Sequence, residues 1–453
     1  MCGVVGVYCE DKELTAKITY YALYSLQHRG QESAGIAVAS EEGIKLKKGM
    51  GLVTEVLSDV NFKGNYAIGH VRYSTTGESK LENAQPLLIN FKKGQLAIGH
   101  NGNLVNHAQL RAMLKNEGRI FHTDSDTEVI AQLLSIFLMK KDDIIESLKL
   151  LQEKLIGSFS LTILYNDTLI GYRDALGFRP LCVGETEFGF VIASESCALD
   201  VIGAKNIRDV KPGEAVIIRD GDIEFVRIAK SNRIARCVFE YIYFARPDSV
   251  IDGVSVYNAR YKMGKILARE SPVDADIVSP IPDSGVIAAL GYSYELNIPY
   301  LEALIKNKYV GRSFIMPKQE LRELYVNMKL NVVKENVRGK RVVLVDDSIV
   351  RGTTSKRIVS MVKKAGAKEV HFRVSSPPII SPCYFGIDMS TREELIASHR
   401  CVKEICQILG ADSLAYLSIE GLLKAVGFSR KELCLACLTG KYPVPVPGEI
   451  FEP

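Results

Sequence analysis

Residues 341–355, with the sequence RVVLVDDSIVRGTTS, constrain the fold more than any other stretch of the chain. Residues 342–345 are apolar and mostly β-branched, which predicts a strand buried on both faces of a parallel sheet and ending at Asp346 and Asp347. Small and hydroxyl-bearing residues follow. Apolar residues then recur at helical spacing until Gly366, which predicts a helix that stops there.

The turn between this strand and this helix is predicted to bind an anion. Free backbone N–H groups and the helix dipole would face a phosphate. Thr353, Thr354 and Ser355 add hydroxyl donors. Because Asp346 and Asp347 would repel a phosphate, we expect them to face sugar hydroxyls or Mg2+, which prefers oxygen ligands. The alternative is a capped helix with solvated aspartates.

This stretch resembles the 5-phosphoribosyl-1-pyrophosphate (PRPP) signature of type I phosphoribosyltransferases. The resemblance implies that Asp346 and Asp347 bind the ribose diol and Mg2+. It implies that the following turn holds the 5-phosphate, with the residues Ser348, Arg351, Gly352, Thr353, Thr354 and Ser355.

A second strand, turn and helix are predicted at residues 277–290. Asp283 and Ser284 in this turn suit the pyrophosphate end of PRPP and its metal, with Ser284 as a hydroxyl ligand. The alternative is an ordinary turn with a helix cap. Strands and helices alternate across residues 275–375, which predicts a doubly wound α/β domain.

Composition sets broad limits on the class of protein. The chain has 453 residues, enough for two or three domains, and its 47% hydrophobic and 24% charged residues are ordinary for a globular protein. A net charge of +4 does not favour nucleic acid as a partner. We find no bilayer-spanning run and no signal peptide, so we expect a cytoplasmic protein without a membrane partner.

Cys2 is a candidate nucleophile at the start of the chain. If Met1 is removed, Cys2 carries both a thiol and a free α-amine. An α-amine has a pKa of about 8, so it can accept the thiol proton near neutrality. The alternative is a small strand residue behind a retained Met1.

Three other features, carried by four residues, suit the hydrolysis of glutamine. Arg72 can bind a carboxylate, Asp126 can pair with an α-ammonium, and the Asn101 amide with the N–H of Gly102 can stabilise an oxyanion. Each has an alternative: a surface salt bridge, a helix cap and a hairpin turn, respectively. Two strands share the sequence AIGH, at 67–70 and 97–100, and are predicted to be neighbours in one sheet.

Taken in order, these motifs resemble the class II glutamine amidotransferases: Cys2, HRG at 28–30, HVRYST at 70–75, GHNGN at 99–103 and TDSD at 123–126. The resemblance implies an N-terminal nucleophile αββα sandwich over residues 2–232, with the type I phosphoribosyltransferase domain and a cluster-binding segment at 233–453. It implies that Met1 is removed, and it places His28 and Arg29 among the glutamine-binding residues.

Four of the ten cysteines form a separate group: Cys237, Cys383, Cys434 and Cys437. The CxxC spacing at 434–437 is common among metal ligands, although spacing alone leaves zinc, iron–sulfur and free thiols open. Together the two halves resemble the glutamine phosphoribosylpyrophosphate amidotransferase family. One branch of that family carries a structural [4Fe–4S] cluster on cysteines in these contexts.

The family resemblance implies that ammonia from glutamine is transferred to PRPP, giving 5-phosphoribosylamine, glutamate and pyrophosphate in the first step of purine synthesis. It also implies a homotetramer, feedback inhibition by purine nucleotides, and a flexible loop at 305–317 that closes over PRPP. Asn327 and Val332 depart from the family pattern, where we expect Arg and Pro. The alternatives are another class II amidotransferase, such as a hexosamine synthase, and a non-catalytic PRPP-binding regulator.

Overall fold

The computed structural model describes residues 2–73, 77–309, 329–389 and 391–452. Met1, Ser74, Thr75, Asn327 and residues 310–317 of the basic loop therefore lie outside the described residues. None of the described helices is both long and apolar enough to cross a membrane.

Two antiparallel sheets form the N-terminal half. The first has seven strands in the order Lys205–Asp209, Cys182–Thr186, Gly189–Ala193, Gly3–Cys9, Tyr66–Arg72, Ser33–Ser40 and Gly43–Met50. The second has six, in the order Asp222–Arg227, Glu214–Arg219, Thr168–Arg173, Gly157–Tyr165, Gly94–Leu104 and Leu87–Phe91.

Helices cover the outer face of each sheet. An apolar core that includes Val4, Ile68 and Leu164 lies between the sheets, and one further core lies under the helices on each outer side. The helices of this half are Thr15–Ser25, Val53–Val56, His107–Asn116, Asp126–Lys141, Ile144–Lys154 and Ser196–Val201. The predicted αββα sandwich is confirmed.

The prediction that the two AIGH strands are neighbours in one sheet is wrong. Tyr66–Arg72 belongs to the first sheet and Gly94–Leu104 to the second. They face each other across the sandwich, where the Nε2 atom of His70 lies 3.0 Å from the carbonyl oxygen of His100. Sequence similarity between two strands does not specify their hydrogen-bonding partners, which are set by the packing of the whole domain.

A parallel four-stranded sheet forms the centre of the C-terminal half, in the order Ile277–Pro280, Arg341–Asp346, Glu369–Val374 and Ser413–Tyr416. Along Arg341–Asp346, Val343 and Val345 join the core on one face, and Val342 and Leu344 join the core on the other. The strand is therefore buried on both faces, and the doubly wound α/β domain is confirmed.

The helices of the C-terminal half include a π-helical turn, Glu240–Phe244, followed by Val256–Glu270, Val286–Leu296, Lys334–Val337, Thr353–Lys364, Val402–Leu409, Ile419–Val426 and Ala436–Thr439. Short strand pairs complete it: Arg236–Cys237 with Leu433–Cys434, Val250–Ile251 with Val254–Ser255, Leu304–Lys306 with Leu330–Val332, and Lys441–Tyr442 with Ile450–Phe451. The predicted boundary at 232 falls between the sandwich strand Asp222–Arg227 and the strand Arg236–Cys237.

Candidate active site

The side chain of Cys2 lies at the end of the first sandwich sheet and is 7% exposed. Its Sγ atom is 3.7 Å from the carbonyl oxygen of Tyr73, and its backbone N–H donates to Oδ1 of Asn101 at 3.3 Å. The carbonyl of Cys2 accepts a hydrogen bond of 2.9 Å from Nε of Arg29. Three motifs that are far apart in sequence therefore meet at the thiol.

Asn101 and Gly102 lie within the strand Gly94–Leu104, so the hairpin-turn alternative is wrong. The Nδ2 atom of Asn101 is buried and has no hydrogen-bond partner in the part of the chain that the structure describes. A buried donor without a partner is costly unless a ligand or water satisfies it. This unpaired donor beside Cys2 is what an oxyanion site requires.

Arg72 is buried and forms an ion pair with Glu32, so the surface-salt-bridge alternative is wrong. Its Nη2 atom also donates to the carbonyl of Gly77 at 3.3 Å. Contact between Arg72 and the carboxylate of glutamine stays a prediction.

Asp126 is the first residue of its helix, and the N-cap is Ser125. One carboxylate oxygen of Asp126 accepts from the N–H of Leu104 at 2.9 Å, and the other lies 3.6 Å from Nδ1 of His100. Burial raises the pKa of Asp126, but the charge and hydrogen bond of His100, together with the N–H of Leu104, outweigh burial and hold that pKa below the ordinary value. Asp126 is therefore a carboxylate at neutral pH, as pairing with an α-ammonium requires.

Arg29 and His28 lie in a buried ion network. The Arg29 guanidinium binds Glu240 through two hydrogen bonds, of 3.0 and 2.8 Å, and also contacts Glu195. His28 lies 2.8 Å from the same Glu195 carboxylate. Burial raises the pKa of Glu195, but Arg29 and His28 outweigh it and hold that pKa well below the ordinary value. Contact between glutamine and either His28 or Arg29 stays a prediction.

Asp346 ends the central strand, and both Asp346 and Asp347 are buried. Burial, and next the charge of Asp347, raise the pKa of Asp346 well above the ordinary value. Ser348 Oγ donates to the Asp347 carboxylate at 2.5 Å. Two buried carboxylates side by side repel each other unless a proton or a cation lies between them. The pair therefore fits a divalent cation or a polyol.

The phosphate turn has the predicted form. Gly352, at φ +77°, precedes the helix Thr353–Lys364, so the helix N-terminus is free to face a ligand. Thr354 lines the cavity described below, and Ser355 is buried. Arg351 is largely exposed and pairs with Glu394 at 2.6 Å, so its contact with phosphate stays a prediction.

One cavity of about 620 Å³ is lined by residues from both halves of the chain. From the sandwich it is lined by His28, Arg29 and Tyr73, whose carbonyl oxygen contacts Cys2. From the C-terminal half it is lined by the predicted residues Asp283, Ser284, Asp346, Asp347, Ser348 and Thr354. The cavity is large enough for a phosphorylated sugar, and it lies directly beside the nucleophile.

Two family models match the chain, a glutamine amidotransferase domain at residues 70–201 and a phosphoribosyl transferase domain at residues 262–376. The amidophosphoribosyltransferase of Archaeoglobus fulgidus is 65% identical over 457 residues, covering 100% of both chains. That of Bacillus subtilis is 51% identical, over 98% of this chain and 94% of the relative. The chain belongs to the amidophosphoribosyltransferase family.

Solved structures agree with this membership. The glutamine PRPP amidotransferase of B. subtilis, in complex with ADP and GMP, matches with a TM-score of 0.91 and 49% identity, over 99% of each chain. A second, described as the allosteric regulatory enzyme of purine biosynthesis, matches with a TM-score of 0.92 and 50% identity, over 99% of this chain and 97% of the other.

As an amidophosphoribosyltransferase, the chain transfers nitrogen from glutamine to PRPP in the first step of purine biosynthesis. A full-length match that includes the phosphoribosyl transferase domain excludes both alternatives, the hexosamine synthase and the non-catalytic regulator.

The four grouped cysteines meet at the seam between the two halves of the amidophosphoribosyltransferase fold. Cys237 is the register partner of Cys434 in a short parallel pair. The carbonyl of Cys437 accepts from the N–H groups of Ile380 and Ser381, which fastens the loop that carries Cys383.

The environment of these thiols is apolar and shared. Burial raises the pKa of Cys237 to about 11 and that of Cys437 well above the ordinary value, and in each case the charge of Cys383 raises it further. Within the described ranges, no three His, Cys, Asp or Glu residues are arranged to hold a single metal ion. The assignment of these four cysteines to a [4Fe–4S] cluster stays a prediction.

Sequence reasoning missed four buried charged residues: Arg179, Glu195, Glu240 and Arg260. Arg260 lines the cavity. Glu240 follows the apolar residues Val238 and Phe239, and a carboxylate in such a run is seldom buried without a partner. That signal could have identified Glu240, but not Arg29 as its partner.

Proposed function

We propose that Cys2 releases ammonia from glutamine and that PRPP held at Asp346 and Asp347 captures it within the same cavity. The observation that carries this proposal is the shared cavity, which contacts both the glutaminase residues and the acidic strand end. A short path between the two centres favours transfer over loss of ammonia to solvent.

In the glutaminase step, Cys2 acts as an N-terminal nucleophile once Met1 is removed. Its α-amine takes the thiol proton, and the sulfur attacks the side-chain amide of glutamine. The Nδ2 atom of Asn101 and the N–H of Gly102 stabilise the oxyanion, at about 3 kcal/mol per donor. Ammonia leaves, and water then hydrolyses the thioester to glutamate. Arg72 and Asp126 orient the two charged ends of glutamine.

In the phosphoribosyl step, Asp346 and Asp347 hold the ribose diol, and the N-terminus of the helix Thr353–Lys364 holds the 5-phosphate. Ammonia displaces pyrophosphate at C1, giving 5-phosphoribosylamine. Asp283 and Ser284 face the pyrophosphate from the neighbouring turn. Mg2+ bound by Ser284, Asp346 and Asp347 would offset the charge of the leaving group. The two adjacent buried carboxylates of Asp346 and Asp347 support such a site.

A [4Fe–4S] cluster on Cys237, Cys383, Cys434 and Cys437 would have a structural role, because these thiols lie in an apolar seam rather than in the cavity. It would join the C-terminal residues to the start of the second half. We further propose purine nucleotides as inhibitors, which is supported by the complex of the B. subtilis neighbour with ADP and GMP. A cytoplasmic homotetramer remains our expectation.

The direct test is product analysis with glutamine or ammonia as the nitrogen source, together with PRPP and Mg2+. Cys2→Ala should abolish glutamine-dependent formation of 5-phosphoribosylamine and leave ammonia-dependent formation largely intact. The control is Cys401→Ala, because Cys401 is an exposed thiol outside the site. Loss of both activities in Cys2→Ala would contradict a division into two centres.

A further inference from the structure

The oxyanion strand of the sandwich is in direct contact with a loop of the other half. Residues 384–386, here called the buttress turn, follow Cys383 and pack against residues 101–103. The Nδ2 atom of Asn103 donates to the carbonyl of Tyr384 at 3.0 Å. Residues 384–386 do not line the cavity, and none of them has been assigned a role in the reaction.

A second set of bonds converges on the carbonyl of Phe385. Ser158 Oγ donates to it at 2.9 Å and accepts from the backbone N–H of Asn103 at 3.1 Å. The Nε and Nη2 atoms of Arg179 donate to the same carbonyl. Ser158 and Arg179 are fully buried, so these bonds are shielded from water.

Close packing completes the contact. Gly386 has φ +95°, and a Cβ atom there would lie 3.1 Å from both the carbonyl carbon and the carbonyl oxygen of Gly102. Gly102 itself has φ +156°, and a Cβ there would lie 2.0 Å from the carbonyl oxygen of Ser158. The backbone of Gly102 is therefore confined between Ser158 and Gly386.

We propose that Gly386 is a positioning residue for the glutaminase reaction and that the buttress turn sets the position of the Gly102 peptide. This rests on the oxyanion role proposed above for Asn101 and Gly102. The donors must lie within hydrogen-bond distance of the developing oxyanion, and a displacement of 1 Å can cost about 100-fold in rate. The glutaminase centre would then reach its active geometry only when the phosphoribosyltransferase half is folded against it.

The test is Gly386→Ala in the full-length protein. The added methyl group would lie 3.1 Å from the Gly102 carbonyl and 3.2 Å from Nη2 of Arg179, so these groups must move by a few tenths of an ångström. Because oxyanion donors are sensitive to small displacements, we expect kcat with glutamine to fall by about 10-fold while KM for glutamine changes little. Ammonia-dependent activity should be retained. The rates of glutamate and 5-phosphoribosylamine formation should fall by the same factor, because the affected step precedes the release of ammonia.

The matched control is Gly410→Ala. Gly410 also has a positive φ, +72°, but a Cβ there would meet no atom within 4 Å. This variant introduces the same kind of backbone strain without a close contact to another residue. Its kcat with glutamine should equal that of the wild type. Asn101→Ala calibrates the oxyanion role: if it leaves kcat unchanged, the proposed role fails independently of the buttress turn.

If Asn101→Ala lowers kcat, any one of three results would overturn the proposal. They are an unchanged kcat in Gly386→Ala, an equal loss with ammonia, and continued glutamate formation without 5-phosphoribosylamine. If Gly386→Ala does not fold, Ser158→Ala replaces it, since it removes both bonds that Ser158 makes to Phe385 and Asn103. The same fall in kcat, at constant KM, is then expected.

Discussion

The guanidinium of Arg29 donates two hydrogen bonds to the carboxylate of Glu240, 211 positions further along the chain, and both side chains are buried. Arg29 belongs to the sandwich and Glu240 to the start of the other half. Because Arg29 also donates to the carbonyl of Cys2, the ion pair connects the nucleophile to the second half of the chain.

The substitution Glu240→Gln should test this connection. It leaves the buried Arg29 with less compensating charge, so we expect the free energy of unfolding to fall by about 3 kcal/mol. Glutamine-dependent kcat should fall more than ammonia-dependent kcat, because Arg29 orients Cys2. Denaturant unfolding and parallel assays with both nitrogen sources provide the measurement. The control is Glu42→Gln, at an exposed ion pair with Lys45, where neither stability nor kcat should change. In Glu240→Gln, equal losses of activity with the two nitrogen sources would contradict the connection.

Asp346→Asn should impair the phosphoribosyl centre alone. Removing one carboxylate weakens the hold on the ribose diol and on Mg2+, so both glutamine- and ammonia-dependent formation of 5-phosphoribosylamine should fall, by about 100-fold. Alkylation of Cys2 by a glutamine analogue should persist. Asp59→Asn, at an exposed ion pair with Lys47, is the control. An unchanged rate at saturating PRPP, over a titration of Mg2+, would remove Asp346 from the centre.

Cys437→Ser should reveal the nature of the cysteine site. If these thiols hold a [4Fe–4S] cluster, anaerobically purified protein should be brown, absorb near 400 nm, and contain about four irons per chain. The variant should lose both iron and absorbance and unfold at a lower temperature. Cys401→Ser, at an exposed thiol in the same half, should keep the chromophore. Colourless wild-type protein with bound zinc would refute the cluster.

His70→Gln should change the pH dependence of stability. Burial lowers the pKa of His70 to about 3, so the folded state keeps the imidazole neutral while the unfolded chain protonates it near pH 6.5. Stability from this residue is complete above pH 6.5 and is lost as the pH falls toward 3. Gln can keep a donor to the carbonyl of His100 but does not titrate.

Between pH 7.5 and 5.5, the wild type should therefore lose about 1.4 kcal/mol more than His70→Gln. Chemical denaturation at the two pH values measures this difference. His399→Gln, at an exposed position, should follow the wild type. Parallel curves for wild type and His70→Gln would show that His70 is protonated in the folded state or does not contribute.

Local sequence was sufficient to predict those parts of the site that are built from consecutive residues. The strand Arg341–Asp346, the phosphate turn and the following helix are continuous in the chain, so side-chain pattern and turn chemistry predict them together. The four cysteines could be grouped from their motif and context. Their spacing did not reveal which metal, if any, they bind.

Contacts between residues that are far apart in the chain could not be predicted from local sequence. The AIGH strands lie in facing sheets, because the domain core and not the repeated sequence determines strand pairing. Arg179, Glu195 and Glu240 are buried charges whose partners lie in other motifs. A charge is tolerated in the interior only when its partner is present, and the sequence does not state which distant residue that is.

The amino-acid sequence by itself determined the two chemistries, a thiol nucleophile at Cys2 and an acidic, hydroxyl-rich phosphate turn at Asp346, because each is written in neighbouring residues. The tertiary structure alone decided that Tyr73, which contacts the Cys2 thiol, lines the same cavity as Asp346, and that the buttress turn packs against Gly102. Such placements depend on the summed packing of many distant residues, and no single segment of the chain contains that information.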